Sequence, residues 1–261
     1  MPTVSDIINA LEAYAPLSLQ ESYDNAGLQV GEPEAKATAA LLCLDVTEHS
    51  VDEAIERGCS MIISHHPLLF GGVRNVTSCN ERGCIIIKAL RAGISIYSAH
   101  TNLDRATHGV SMEIAAALGL NNVKILEPDD REPLVGLGAV GDIGPMPSFE
   151  FLRKVKEAFA VKCLRYSSSF SSLIVRKVAV CGGAGASLIR KAVDSGADAI
   201  VTGDVKYHDF TTWGSKILIA DIGHFESELC TKKMFRHILA HSFPDFPTYL
   251  AEDEVNPINT L

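Results

Sequence analysis

Apolar residues recur at helical spacing in the first segment of the chain. A stripe from Val4 to Leu11 follows the i, i+3, i+4, i+7 spacing of an amphipathic helix. Thr3 and Asp6 stand where the two halves of a capping box are expected. Proline cannot continue a helix, so this element is predicted to end near Pro16. The chain therefore opens with a capped, half-buried helix.

Short apolar runs then alternate with helical segments through both halves of the chain. Strands are predicted at 40–46, 61–63, 94–98, 178–180, 198–201 and 216–220. Helices are predicted from 48 after Thr47, at 81–92, at 107–118 capped by Thr107, at 186–195 and from 225. Alternating elements of these lengths predict an α/β fold with mostly parallel sheets covered by helices.

Two segments of the chain resemble each other. When residues 51–66 are laid over 189–204, an offset of 138 positions, a glycine and the apolar positions coincide. A common helix–glycine–strand unit and an ancestral duplication into two αβα modules both explain this agreement. In either case His65, His66 and Asp204 come at equivalent strand ends, which is where open α/β sheets bind ligands.

Composition and charge narrow the classes of function. The chain has 261 residues, of which 47% are hydrophobic, so it can bury a substantial core. A net charge of −9 argues against a broad interface with a nucleic-acid backbone. It remains compatible with a nucleotide ligand, because a bound metal reverses the local field. A nucleic acid is therefore disfavoured as a partner, whereas a small anionic ligand remains compatible with the charge.

Cysteine usage and the absence of export signals predict a cytoplasmic protein. The seven cysteines are scattered without a CxxC pair, which is typical of reduced thiols. Cys43, Cys59 and Cys181 lie in apolar runs and are predicted to be buried. The start of the chain lacks the regions of a secretory signal, and no apolar run reaches the length of a membrane span.

A pair of adjacent histidines follows the predicted strand at 61–63. His65 and His66 stand on an extended segment, where successive side chains point in opposite directions. Such a pair suits two neighbouring metal ions better than one. Taken alone, it is also typical of a hydrogen-bonded turn.

Two further histidines each precede a carboxylate by four residues. On a helix this spacing places His224 and Glu228 on one face, and His100 and Asp104 have the same spacing. A carboxylate can bridge two cations in a two-metal hydrolytic site. An isolated pair of this kind is usually a solvated contact, but joint placement beside the strand ends favours a metal site.

Other candidate motifs are less specific. The Cys-Gly-Gly-Ala-Gly segment at 181–185 matches neither a Walker A loop nor GxGxxG, so a tight turn is preferred to a phosphate loop. Lys206, Tyr207 and His208 either orient a substrate or form an ordinary polar helix start. The sequence has no GxSxG nucleophile motif.

Together these residues resemble a known family. The sequence is similar to the dinuclear-metal-centre proteins often labelled GTP cyclohydrolase I type 2 homologues. The segments that carry the resemblance are YDNAGLQVG (23–31), IISHHPLLF (63–70), YSAHTNLD (97–104), VTGDVKYHD (201–209) and DIGHFESE (221–228). They extend over nearly the whole chain.

The resemblance implies an architecture and a ligand set. It implies two interlinked αβα modules, at 1–128 with 218–261 and at 129–217, within a toroidal homohexamer. It implies two divalent ions per subunit, Zn, Mn, Fe, Co or Ni, because imidazole and carboxylate ligands accept each of them. The implied metal ligands are His65, His66, Asp104, His224 and Glu228. Asp104 and Glu228 are the bridging candidates, and His100 is the candidate catalytic residue as an acid, a base or a support for the ligands.

Two classes of function agree with that resemblance. The first is a metal-dependent hydrolase, of cyclohydrolase or phosphoesterase type, acting on a nucleotide or another phosphorylated small molecule. The second is a non-catalytic metal-binding ring or adaptor protein. The sequence contains ligands for either function and no feature that recognises guanine.

Overall fold

The computed structural model describes residues 1–168, 170, 172–252 and 254–260. The helices are α1 (Val4–Tyr14), α2 (Glu48–Glu56), α3 (Glu81–Arg91), α4 (Thr101–Arg105), α5 (Val110–Ala117), α6 (Ser148–Ala158), α7 (Ile189–Asp194), α8 (Tyr207–Trp213), α9 (His224–Glu228) and α10 (Cys230–Ser242). The strands are β1 (Gly27–Val30), β2 (Ala40–Cys43), β3 (Met61–Ser64), β4 (Ser95–Ser98), β5 (Asn121–Pro128), β6 (Gly136–Pro147), β7 (Arg165–Tyr166), β8 (Ile174–Val180), β9 (Ala199–Thr202), β10 (Leu218–Asp221) and β11 (Thr248–Leu250).

The chain forms two compact units and enters each of them twice. Unit 1 contains Met1–Leu103 and Thr231–Val255, and unit 2 contains Asp104–Cys230 and Asn256–Leu261. These bounds differ from the predicted modules, because residues 104–128, 218–230 and 256–261 lie in unit 2. Strand pairing accounts for the difference, since β5 pairs with β6 and β10 pairs with β9.

Unit 1 contains a five-stranded sheet in the order β1-β4-β3-β2-β11. Its β11, β2, β3 and β4 run parallel, and β1 is antiparallel to β4. Every residue of β2, β3 and β4 is buried. This burial explains why β2 and most of β3 appear in the sequence as apolar runs, whereas β4 begins and ends with a buried serine. The mostly parallel sheet predicted for this part of the chain is confirmed.

Unit 2 contains a six-stranded sheet in the order β5-β6-β8-β9-β10-β7. Only the β8-β9-β10 segment of this sheet is parallel. The β5–β6, β6–β8 and β10–β7 pairs are antiparallel, so this sheet differs from the mostly parallel sheet that we predicted. β6 is rich in glycine and proline and lacks the apolar run that marks a buried parallel strand.

The two segments that resemble each other in sequence have the same local structure. Gly58 ends the α2 turn at φ +68°, and Gly196 ends the α7 turn at φ +75°. The next amide in each case donates to a carbonyl five residues upstream, at 2.8 Å in unit 1 and 3.1 Å in unit 2. The following strands, β3 and β9, are each the middle strand of a parallel triplet. A duplication and a common folding unit both predict this agreement.

The predicted helix caps are confirmed at two of three positions. Thr3 and Asp6 form a reciprocal capping box on α1, and Thr47 caps α2 together with Ser50. The Thr107 cap is wrong, because α5 begins at Val110 after Gly109. The chain instead forms the short helix α4 immediately after His100.

The three cysteines predicted to be buried are buried. Cys43 and Cys59 lie in the apolar core of unit 1, and Cys181 lies in that of unit 2. Burial raises the pKa of Cys59 to about 11. Among the described helices, none combines the length and apolar character needed to cross a bilayer.

Candidate metal centre

Three histidines meet at one edge of the unit 1 sheet. His65 and His66 follow β3, and His100 follows β4 two residues after its end. Because β3 and β4 are parallel neighbours, their carboxyl ends lie at the same edge. The ring centroids are separated by 5.2 to 5.5 Å, and one ring nitrogen from each residue lies within 4.8 Å of the other two. The structure thus brings His100 into a cluster with the predicted ligands.

The backbone of this cluster is held by two serines. The Ser64 hydroxyl donates to the His66 carbonyl at 2.8 Å, and the Ser98 hydroxyl donates to the same carbonyl at 3.2 Å. Both serines are fully buried at the ends of their strands. The turn that carries the histidines is therefore fixed by the strands from which it emerges.

Each histidine of the cluster has its Nδ1 held by an oxygen acceptor. These contacts all measure 2.8 Å, and they join His65 to the Ala99 carbonyl, His66 to Asp45 and His100 to Asp24. A carbonyl or a carboxylate only accepts, so Nδ1 donates in each pair. A neutral imidazole in this tautomer carries its lone pair on Nε2. Metal-binding histidines typically have this arrangement, in which the partner of Nδ1 fixes the ring.

Asp24 is the most completely enclosed of these acceptors. Its side chain is 0% exposed, and Oδ2 accepts from the Thr101 amide at 3.0 Å and from the Thr101 hydroxyl. Burial alone raises the pKa of Asp24, but the hydrogen bonds from His100 and Thr101 outweigh it and lower the pKa to about 2. The carboxylate is therefore charged at every physiological pH.

Asp24→Asn is expected to lower the stability of the metal-free protein by roughly 2 kcal/mol at pH 7. A pKa depressed from 3.8 to about 2 gives stability that is fully present above pH 3.8 and is lost as pH falls through 2. The difference from wild type should therefore shrink below pH 4. Urea unfolding at several pH values measures it, with the exposed Asp245→Asn as control. A gap that stays constant down to pH 2.5 contradicts this assignment.

Unit 2 contains a second group of predicted ligands. His224 is the first residue of α9, after β10, and Glu228 is the last residue of the same helix. His224 Nε2 lies 3.1 Å from Glu228 Oε2, and carboxylate oxygens of Asp104 and Glu228 lie within 4.8 Å of each other. Glu228 is 3% exposed. The spacing of four residues therefore places His224 and Glu228 together, as predicted.

His224 has the same type of support as the histidines of unit 1. Its Nδ1 lies 2.8 Å from Asp204 Oδ2. Asp204 has φ +55°, a left-handed conformation that is uncommon for a residue with a side chain. The hydrogen bond with Glu228 raises the pKa of His224 to about 9, and Asp204 adds to the effect while burial opposes it. This imidazole is therefore protonated at neutral pH, and binding of a metal at Nε2 would have to displace that proton.

The thiols near these carboxylates are poor ligands. Burial raises the pKa of Cys181 to about 12, and the charges of Asp104 and Glu228 contribute to the shift. Burial likewise raises the pKa of Cys230 to about 12. Metals bind thiolate rather than thiol, so the groups of unit 2 that could hold a metal are the imidazole and the carboxylates.

The Cys-Gly-Gly-Ala-Gly turn lies against Glu228. A Cβ atom at Gly183 would lie 2.2 Å from Glu228 Oε1, and the residue has φ +58°. The Gly183 amide donates to the Ser227 hydroxyl at 2.9 Å. The glycines of this turn thus make room for the carboxylate, which agrees with the preferred interpretation of the motif as a tight turn.

Three residues named from the sequence lie at the start of α8. The Lys206 amide donates to Asp209 Oδ2 at 3.1 Å, a contact typical of a polar helix start. Tyr207 and His208 are exposed on that helix. Sequence reasoning missed Asp24 and Asp45 as partners of the histidines. Asp24 lies in one of the segments that carry the family resemblance, and Asp45 follows β2 at the edge where the histidines lie.

The fold and these two clusters define the class of the protein. It is a mixed α/β protein with histidine and carboxylate groups that could hold metal ions. The chain belongs to the Duf34/NIF3 family (NGG1p interacting factor 3), whose sequence model matches residues 2–257.

Curated relatives and solved structures agree with this membership. A Clostridium perfringens protein called GTP cyclohydrolase 1 type 2 homolog is 38% identical over 86% of each chain. A Lactococcus lactis protein of the same name is 34% identical over 97% of this chain and 98% of its own. The crystal structure of a Staphylococcus aureus hypothetical protein superposes with a TM-score of 0.92, at 27% identity and 99% coverage of both chains. The resemblance stated from the motifs is confirmed.

Proposed function

We propose that this protein binds two divalent metal ions per subunit through His65, His66, Asp104, His224 and Glu228. The observation that carries the proposal is the hydrogen bond that fixes the ring of each histidine. His65, His66, His100 and His224 each have Nδ1 held at 2.8 Å by an oxygen acceptor. Carboxylate and carbonyl partners of this kind orient imidazoles for metal coordination and raise their basicity.

We propose hydrolysis as the activity. Divalent ions held by these ligands would supply Lewis acidity for the attack of water on the substrate. Asp24 holds the His100 ring by Nδ1, so the ring is fixed with Nε2 free of that contact for proton transfer. His100 thereby serves as the acid or base near the reacting bond. Asp45 and Asp204 fix the rings of His66 and His224 in the same way.

The charge balance favours an anionic substrate. Among the groups proposed to touch the ions, the charges of Asp104 and Glu228 offset roughly half of the four positive charges of two divalent ions when the histidines are neutral, which leaves a local positive excess. The carboxylates of Asp24, Asp45 and Asp204 lie at Nδ1 of the imidazoles and reduce this excess from behind the rings. A phosphate group neutralises this excess, and a neutral substrate does not. A nucleotide or another phosphorylated small molecule is the proposed substrate class.

Elemental analysis of the natively purified protein tests the metal centre, and product analysis tests the reaction. We expect two equivalents of divalent metal per chain. With that metal present, incubation with GTP should release formate if the reaction is a cyclohydrolase reaction and phosphate if it is phosphoester hydrolysis. The name of the curated relatives, GTP cyclohydrolase 1 type 2 homolog, motivates the first measurement. Fully metallated protein that turns over no nucleotide or phosphoester contradicts the hydrolase proposal.

A non-catalytic role is the second candidate, because the family is described as an interacting factor. In that case the metals would stabilise a binding surface and all substrates would remain unchanged. We further propose that the protein works in the cytosol as a homohexameric ring. Light scattering on the purified protein tests this assembly, and a monomeric mass contradicts it.

A further inference from the structure

We propose that Phe70 is a stacking surface for the nucleobase of the substrate, beside the histidine cluster of unit 1. This inference rests on the proposed function and names the part of the substrate that the metal ligands do not recognise. The proposed imidazole and carboxylate ligands would hold the phosphate end through the ions, and none of them would select a base. A nucleotide enzyme therefore needs a separate contact for the planar ring.

Phe70 stands next to the candidate acid or base. Its ring centroid lies 6.0 Å from that of His100, and the two planes are perpendicular. His100 in turn lies 5.3 Å from His65 and 5.5 Å from His66, measured between ring centroids. His100 thus lies between the Phe70 ring and the proposed ligands His65 and His66. Phe70 is 45% exposed.

The backbone that carries Phe70 is anchored rather than loose. The Leu69 amide donates to Gln29 Oε1 at 3.2 Å, and the Leu69 carbonyl accepts from Asn25 Nδ2 at 3.3 Å. The Phe70 amide donates to the Pro67 carbonyl at 3.3 Å. A single exposed apolar residue needs no explanation by itself, but a ring held in place beside a candidate site is pre-organised for contact.

The chemistry of the surrounding segment favours an aromatic base over a cation. Residues 67–80 contain Arg74 and no aspartate or glutamate, so the segment itself offers a cationic ligand no carboxylate. The nearby Asp24 carboxylate is 0% exposed and already bonded to His100 and Thr101. An aromatic side chain stacks on any purine or pyrimidine, because every base has a π face. Phe70 is therefore suited to a nucleotide of any base.

Binding of GMP and of ribose 5-phosphate to the metal-loaded protein tests this inference. The two probes share the phosphorylated sugar and differ in the base. Phe70→Ala should weaken GMP binding by about tenfold or more, while ribose 5-phosphate binding stays unchanged. Phe70→Trp should retain GMP binding. Phe149→Ala is the matched control, because Phe149 is a 51% exposed phenylalanine of unit 2.

Metal content and native mass are measured on each variant. Equal GMP affinity in wild type and Phe70→Ala, or no preference of the wild type for GMP over ribose 5-phosphate, overturns the stacking role and leaves the metal centre standing. A changed subunit number in Phe70→Ala assigns the ring to a contact between copies and also overturns it. Failure of the wild type to hold metal at all refutes the proposed function, and the stacking role with it.

Discussion

His65→Ala is expected to abolish retention of the metal pair and all turnover. His65 is 0% exposed and its ring is fixed by the Ala99 carbonyl. A side chain from the protein surface therefore cannot reach this position and replace the missing ligand. Loss of a ligand from one ion would also weaken the binding of the other if shared carboxylates hold the two ions together, as in two-metal sites. The metal-to-protein ratio after dialysis should fall from two to less than one.

Matched variants separate ligand loss from unfolding. His237→Ala removes an imidazole from the exposed face of α10 and should keep two metals. His66→Ala removes the less buried member of the pair and should also lose metal, with a smaller cost in stability. Circular dichroism of the metal-free proteins shows whether each variant folds. Retained turnover by a folded His65→Ala protein that has lost its metal would refute the proposed mechanism.

Gly183→Ala is expected to weaken metal binding by about a hundredfold although it changes no ligand. The added methyl group would lie 2.2 Å from Glu228 Oε1, so the carboxylate must move. Glu228 is 3% exposed and lies 3.1 Å from His224, so movement breaks the arrangement of both residues. Isothermal titration of the metal-free protein measures the change in affinity.

Gly196→Ala is the control for the effect that a left-handed backbone conformation alone has on stability. Gly196 has φ +75°, similar to the +58° of Gly183, but an added Cβ meets nothing within 4 Å. Both variants should lose about 1 kcal/mol of unfolding free energy from the left-handed conformation. Only Gly183→Ala should lose metal affinity. Equal metal affinities in the two variants would show that Glu228 is not a ligand.

The two halves of the fold differ in how far the sequence predicts them. The strands β2, β3 and β9 appear as apolar runs because they are buried on both faces, and their positions were predicted within a few residues. The hairpin of β5 and β6 was missed. The central strand β6 pairs with β5 on one side and with β8 on the other. Its glycines and prolines interrupt the alternation of apolar and polar residues by which a strand is predicted.

The candidate site divides in the same way. Sequence alone identified the candidate ligands and their neighbourhood, because His65, His66 and His224 lie within three residues of a strand end and Glu228 lies one helical turn beyond His224. These relations are local in the chain. The prediction of all five metal ligands as one dinuclear centre stays a prediction.

Only the tertiary structure decided which acceptors hold the rings. Asp24 and His100 are 76 residues apart in the chain, and Asp45 and His66 are 21 apart. Such pairs form because β2, β3 and β4 are hydrogen-bonded neighbours whose carboxyl ends share an edge, and β1 borders β4. Strand order depends on packing of the whole sheet, which no local pattern of residues specifies. The chain thus determines by itself which groups can hold a metal, and the folded sheet determines how their rings are aimed.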